Sequence, residues 1–285
     1  MSTQVMSGQA LAFGWIGKLF GGRSFSRAVI ALVVFILLWE IGARSEQWAG
    51  FPFPWIGIVP PPTDVFVAWG TVIGDLSYWE SWRQSFQRVL SGFFAAIIVG
   101  VPLGLALATN RTFYRMVFPV FEVLRPIPPL AWVPAAIIFW PTQEMAIAFV
   151  TFLGAFYTIV INVVGGAKNI DVRYFQSAKA MGSSDWDIFR RIILPGVLPS
   201  IFTGAAVGMG ITWEVVVAAE MISGGGSQVG GTAGGGLGFF IWNSYLGGSY
   251  ELIVVGMISI GIAGYICSSA IRWAGKFATP WTRLR

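Results

Sequence analysis

The sequence has no histidine, a single cysteine and little charge. Without histidine there is no His-ligated haem, no His-ligated zinc and no imidazole proton relay. Cys267 forms no intrachain disulfide, and its apolar setting suits a small packing residue. Charged residues fill 11% of the 285 positions, against about a quarter in a soluble domain, which excludes an ordinary water-soluble fold. No GxxxxGK[ST] run occurs, so the chain carries no P-loop for ATP. The N-terminal apolar run Ala28–Leu38 follows Lys18, Arg23 and Arg27, but no small-x-small cleavage site follows it at once. It reads as a retained first span rather than a cleaved signal.

What is present is mostly oil: 55% of residues are hydrophobic. The length holds five to seven helices of ~20 residues with connectors. Span one is about 27–43. The stretch FPFPWIGIVPPP (51–62) crowds aromatics and prolines as a membrane interface does. Span two is 89–108, in which Gly92, Ala96, Gly100, Gly104 and Ala108 recur every fourth residue. That is a strip of small side chains for close approach by another helix. Span three, about 116–140, is interrupted by Arg125, Pro126, Pro128 and Pro129. Broken backbone at membrane depth is tolerated where protein buries it or where it lines a wet cavity. Span four is 145–164, span five about 197–221 and span six 252–271. Eleven glycines lie between Gly224 and Gly248. The expected fold is an all-α membrane protein of about six transmembrane helices.

With the N-terminus inside, fourteen of the eighteen Lys and Arg fall on cytoplasmic segments. This bias puts both termini of a six-span, multi-pass membrane protein in the cytoplasm. Residues 1–25 are then a cytoplasmic tail, 26–275 the transmembrane domain and 276–285 a second tail.

The longest charged, amphipathic stretch is 171–199. It reads as two short helices hinged at Gly182 and stopped at Pro195. Asp171 caps the first, and Ser184 with Asp187 caps the second. Val172, Phe175 and Ala178, then Trp186, Phe189 and Ile192 or Ile193, recur at helical spacing. A solvated loop and a docking surface explain this pattern equally well.

Ionisable groups inside a membrane are functional candidates. Arg125, Glu122, Glu214 and Glu220 qualify. Arg125 either meets an anionic substrate near the break or forms a structural ion pair with Glu122 or Glu220. Arg88 reads as an interfacial snorkelling residue, and Glu40 as interfacial.

One spacing ends the anonymity of the 171–199 stretch. Gln176-Ser177-Ala178, three residues, Gly182, nine residues, then Ile192-x-Leu194-Pro195 resembles the EAA loop of bacterial ABC-importer permeases. Gln176 stands where that family has Glu, and Ser177 where it has Ala. Three further stretches, Leu124–Pro134, Val215–Ile222 and Ser85–Phe93, resemble the nitrate, sulfonate, taurine and bicarbonate permeases. The resemblance covers about residues 60–275.

The resemblance implies a type I importer permease whose loop 168–197 holds coupling helices. The implied coupling residues are Gln176, Ser177, Ala178, Gly182, Ile192, Leu194 and Pro195. The implied function is ATP-driven import of a small anion (nitrate or nitrite, taurine or alkanesulfonate, bicarbonate) delivered by an external binding protein, periplasmic or lipid-anchored. Catalysis would lie elsewhere: ATP and Mg on separate ATPase subunits, and no cofactor, metal or nucleic acid on this chain. A second permease copy would complete the pathway, with Arg125, Pro126, Pro128, Glu214 and Glu220 as candidate path residues and lipid around the bundle. The rival reading is a secondary transporter or channel not driven by ATP. It would usually show internal repeats, and none is convincing here.

Overall fold

The structure, a computed structural model, describes residues 23–50, 57, 59–223 and 235–284. Most of the N-terminal tail, the start of the 51–62 stretch and residues 224–234 of the glycine-rich run therefore lie outside the described residues. The chain divides into two units, Met1–Gly70 and Thr71–Arg285.

The first unit contains α1 (Arg23–Ala43) and α2 (Ser45–Ala49), and α3 (Pro62–Val72) begins within it. α1 is apolar and long enough to cross a membrane. Near its end Glu40 pairs with Arg44, and Arg44 donates to the Thr63 hydroxyl at 2.8 Å. Glu40 thus belongs to a small network.

The second unit is a helical bundle. α4 (Leu76–Thr109) starts well before the uncharged run that marks its span. Its N-cap is Asp75, whose carboxylate accepts from the Ser77 N–H at 2.9 Å. That bond holds the Asp75 carboxyl below its ordinary range. α5 (Arg111–Leu124) and α6 (Val133–Phe139), the latter entered through a 3₁₀ turn at Pro129–Trp132, meet at an 84° bend. The prolines between them offer no N–H to continue the helix, so the expected interruption takes this form. α7 (Gln143–Lys168) follows, then α8 (Val172–Ala180) and α9 (Asp185–Ile188). α10 (Leu194–Ile222), α11 (Leu237–Leu246) and α12 (Tyr250–Ala278) complete the bundle, with a final 3₁₀ turn at Pro280–Leu284. Among the described residues there are five spans by length and composition, or six with the bent pair.

α7 is the central helix, packed between α4 and α10. Glycine spacing explains the first contact. A Cβ on Gly104 would lie 2.7 Å from the Val163 side chain, and one on Gly92 would collide with Thr151. The strip of small residues on α4 is therefore spent on packing within the chain. α10 packs on α7, α12, α11 and α4, and a buried core of Val89, Ala155, Ile159, Val163, Val216 and Leu237 joins these helices.

Candidate functional site

Three features carry chemistry, and the first is the loop between α7 and α10. Asp171 caps α8 by accepting from the Arg173 N–H at 2.9 Å. Ser184 caps α9: its Oγ accepts from the Asp187 N–H at 3.2 Å and donates to the Asp187 carboxylate at 2.6 Å. Between the two helices Gly182 has φ +78°, a left-handed conformation that costs other residues strain. A Cβ there would meet nothing within 4 Å. Its constraint is thus conformational rather than steric.

Pro195 does not stop the second helix, contrary to expectation. The chain stays helical from Asp185 to Ile222, passing through a π turn at Phe189–Ile193. The Leu194 N–H bonds back to the Phe189 carbonyl, five residues earlier. The widened turn absorbs the proline, whose missing donor would otherwise interrupt the ladder.

The exposed surface of this loop keeps only part of the apolar set that recurs at helical spacing. Ala178 and Ile188 are buried, and Phe175, Phe189, Ile192, Ile193 and Pro195 are half-buried against their own chain. The apolar side chains left in the open are Val172, Tyr174, Met181 and Trp186, the last 67% exposed. Gln176 and Ser177 are exposed beside them, as is Leu194.

The second feature is a groove of about 300 Å³ at the break between α5 and α6. Arg125, Pro129, Tyr157, Thr158, Asn162 and Ile211 are among its lining residues. Pro126 and Pro128 are exposed next to it in sequence. Arg125 makes no ion pair among the described residues, so neither Glu122 nor Glu220 is its partner. An ionised group at the centre of a span costs about 2.5–3.5 kcal/mol on insertion scales, which favours water or a counter-ion beside it. One stripe of α10 is left uncovered: Thr203, Val207, Gly210 and Glu214, at helical spacing. Glu214 likewise has no ion-pair partner among the described residues. α4 differs, since from Phe94 to Pro102 its uncovered positions, Phe94, Ala95, Ile98, Val99 and Pro102, are all apolar. The α10 stripe suits water and the α4 face suits lipid.

The third feature departs from the sequence expectation for Arg88. Arg88 is not a snorkelling residue; it is buried. Its guanidinium pairs with Glu220 at 3.0 Å and with Glu144, and it donates to the Gly235 carbonyl. Glu220 is buried as well, and does not line the groove. It accepts from the Ser85 hydroxyl at 2.8 Å and from the Gly238 N–H at 2.9 Å. Ser85 in turn accepts from the Leu237 N–H at 2.8 Å. The network ties α4, α7, α10 and the start of α11 together, at the end of the bundle opposite the 168–197 loop. Gly236 has φ +126°, and a Cβ on Gly238 would strike the Val217 carbonyl. These two glycines let the chain lie directly on α10. A buried Arg and Glu on separate helices was the available signal; which acid meets which base was not.

Comparison with known proteins gives a consistent result. Residues 100–284 match the family described as binding-protein-dependent transport system inner membrane component. The nitrate import permease protein of Leptolyngbya laminosa is 31% identical over 93% of this chain and 92% of its own length. The taurine transport system permease protein of Escherichia coli K12 is 28% identical over 91% and 90%. An inward-facing structure of the MetNI methionine ABC transporter superposes with a TM-score of 0.56 at 20% identity, covering 71% of this chain and 94% of that one.

Proposed function

This chain belongs to the family of binding-protein-dependent transport inner-membrane components, and from that membership we propose that it is the non-catalytic, membrane-spanning subunit of an ATP-driven importer for a small anion. In this reading two copies enclose the pathway, separate ATPase subunits hold ATP and Mg, and an external binding protein delivers the cargo. Relatives named for nitrate import and for taurine transport support a small oxyanion, with bicarbonate in the same class. Both termini and the 168–197 loop lie in the cytoplasm.

The observation that carries the reading is the construction of that loop. Two capped helices, a left-handed glycine and a π turn make it a stiff lever continuous with α10. Exposed Val172, Tyr174, Met181 and Trp186 give it apolar knobs beside Gln176 and Ser177. A stiff element transmits displacement into α10, as alternating access by rigid-body motion requires. Gln176 would contact the ATPase by a neutral hydrogen bond rather than an ion pair. Arg125, Pro126, Pro128 and Glu214 belong to the path, and the buried Arg88–Glu220 pair moves Glu220 from that role to a structural one.

Affinity purification from native membranes tests this. An ATPase bearing a P-loop is expected to co-purify, and to be lost when Trp186 and Met181 are both changed to Asp. Purification of an active transporter without any ATPase would favour the gradient-driven reading.

A further inference from the structure

The lipid-facing stripe of α4 ends in a groove. Pro102 lies in the middle of that stripe, and Thr109, seven residues on, shares its face two turns nearer the 168–197 loop. Thr109 is exposed and lines a groove of about 610 Å³ between the bundle and the loop. Phe175, Ile188, Phe189 and Ile193 wall it on the loop side, Ala108 and Ala167 on the bundle side. Trp186 lines it too, stacked on Phe189 with ring centroids 5.6 Å apart. Tryptophan is enriched where a bilayer meets water.

The groove also holds two charges of opposite sign. Lys179, in the last turn of α8, and Asp185, the first residue of α9, both line it. They do not pair with one another, and neither has an ion-pair partner among the described residues. The other acids of the loop are engaged: Asp171 with Arg173 at 3.8 Å, and Asp187 with Arg191 at 3.7 Å. The Thr109 hydroxyl donates to the Leu105 carbonyl at 2.8 Å, which leaves its lone pairs to accept. A cation, an anion and an acceptor are thus set in a mostly apolar groove at the foot of a lipid-facing stripe. The matching occupant carries both charges and an apolar tail. A small soluble ion has no tail, and a plain anionic lipid has no group for Asp185.

We propose that this groove seats an aminophospholipid of the cytoplasmic leaflet. Its phosphate meets Lys179, its ammonium meets Asp185 and Thr109, and its acyl chains run along Ile98, Val99 and Pro102 of α4. This rests on the membrane topology given under the proposed function. The lipid lies between the lever and the bundle, so the composition of the leaflet acts on coupling.

The test is native mass spectrometry of the delipidated permease–ATPase complex. It is incubated with equal amounts of phosphatidylethanolamine and phosphatidylglycerol of the same acyl chains. Wild type is expected to retain phosphatidylethanolamine in about tenfold excess, the scale of one charge-assisted hydrogen bond. Asp185→Asn is expected to erase that excess, and Lys179→Gln to reduce retention of both lipids. Ala108→Trp, which fills the groove from the bundle side, is expected to lose both without touching either charge. Equal retention by wild type, a preference for phosphatidylglycerol, or variants that hold lipid as wild type does would overturn the proposal. So would release of the ATPase by Lys179→Gln or Asp185→Asn with lipid retention unchanged, which would give the groove to the ATPase. ATP-driven uptake by a complex with no lipid preference removes the lipid seat and keeps the proposed function. A preference that follows Lys179 and Asp185 in a chain that purifies without any ATPase does the reverse.

Discussion

The Arg88 guanidinium of α4 and the Glu220 carboxylate of α10 meet at 3.0 Å with their side chains 7% and 1% exposed. Their other partners differ. Arg88 also holds Glu144, which is 62% exposed, whereas Glu220 has neutral donors from Ser85 and Gly238. Arg88→Gln therefore strands a sealed carboxylate, while Glu220→Gln leaves Arg88 paired. Breaking a buried pair costs about 3–5 kcal/mol. Arg88→Gln is expected to fall in that range and Glu220→Gln clearly below it, read as melting temperature of the purified complex. A double Arg88→Met, Glu220→Leu variant should recover part of the loss.

Helix α4 approaches α7 through its glycines. Gly92→Ala pushes a methyl into Thr151, and overpacking of this kind costs about 1–3 kcal/mol. Gly165 of α7 has open space around it. Gly165→Ala should be neutral or slightly stabilising, since Ala favours helix by about 1 kcal/mol. Equal behaviour of the two variants in thermal unfolding would contradict this packing.

Gly182 separates conformation from space. Because its φ is +78° and its surroundings are open, Asn, which tolerates that region, should retain most ATP-coupled uptake. Gly182→Val should lose it while ATP hydrolysis persists, or the ATPase should dissociate. The ratio of transport to hydrolysis checks this. A Val variant with a normal ratio would remove the hinge from the mechanism.

Arg125 lines a groove and lacks an ion-pair partner among the described residues. Arg125→Gln is expected to abolish uptake with assembly intact on size-exclusion chromatography. Uptake at normal affinity would end its role in the path.

Periodic features were legible in the sequence, and pairings between distant residues were not. The fourfold recurrence from Gly92 to Ala108 announced a close helix contact, because every fourth residue shares a helical face. The caps at Asp171 and Ser184 were legible because capping is local chemistry. The three prolines after Arg125 marked the 84° bend for the same reason. The pairing of Arg88 was not legible because its partners are 56 and 132 positions away, and two other acids within the spans, Glu122 and Glu214, were equally available by sequence. The passage through Pro195 was missed because a π turn depends on the packing of Phe189–Ile193 rather than on their identities. α4 began earlier than expected because its first turns are polar on one face only. Tyr78 and Ser85 point inward there, and Tyr78 bonds to Ser259 of α12 at 2.7 Å.

ATP-driven passage through this subunit is the central claim, and uptake into proteoliposomes measures it. The complex is reconstituted with its binding protein and with ATP enclosed on the ATPase side, in the absence of any ion gradient. The account predicts cargo movement that requires hydrolysable ATP and survives collapse of proton and sodium gradients. Movement that follows an imposed gradient, with ATP absent or replaced by a non-hydrolysable analogue, would contradict it.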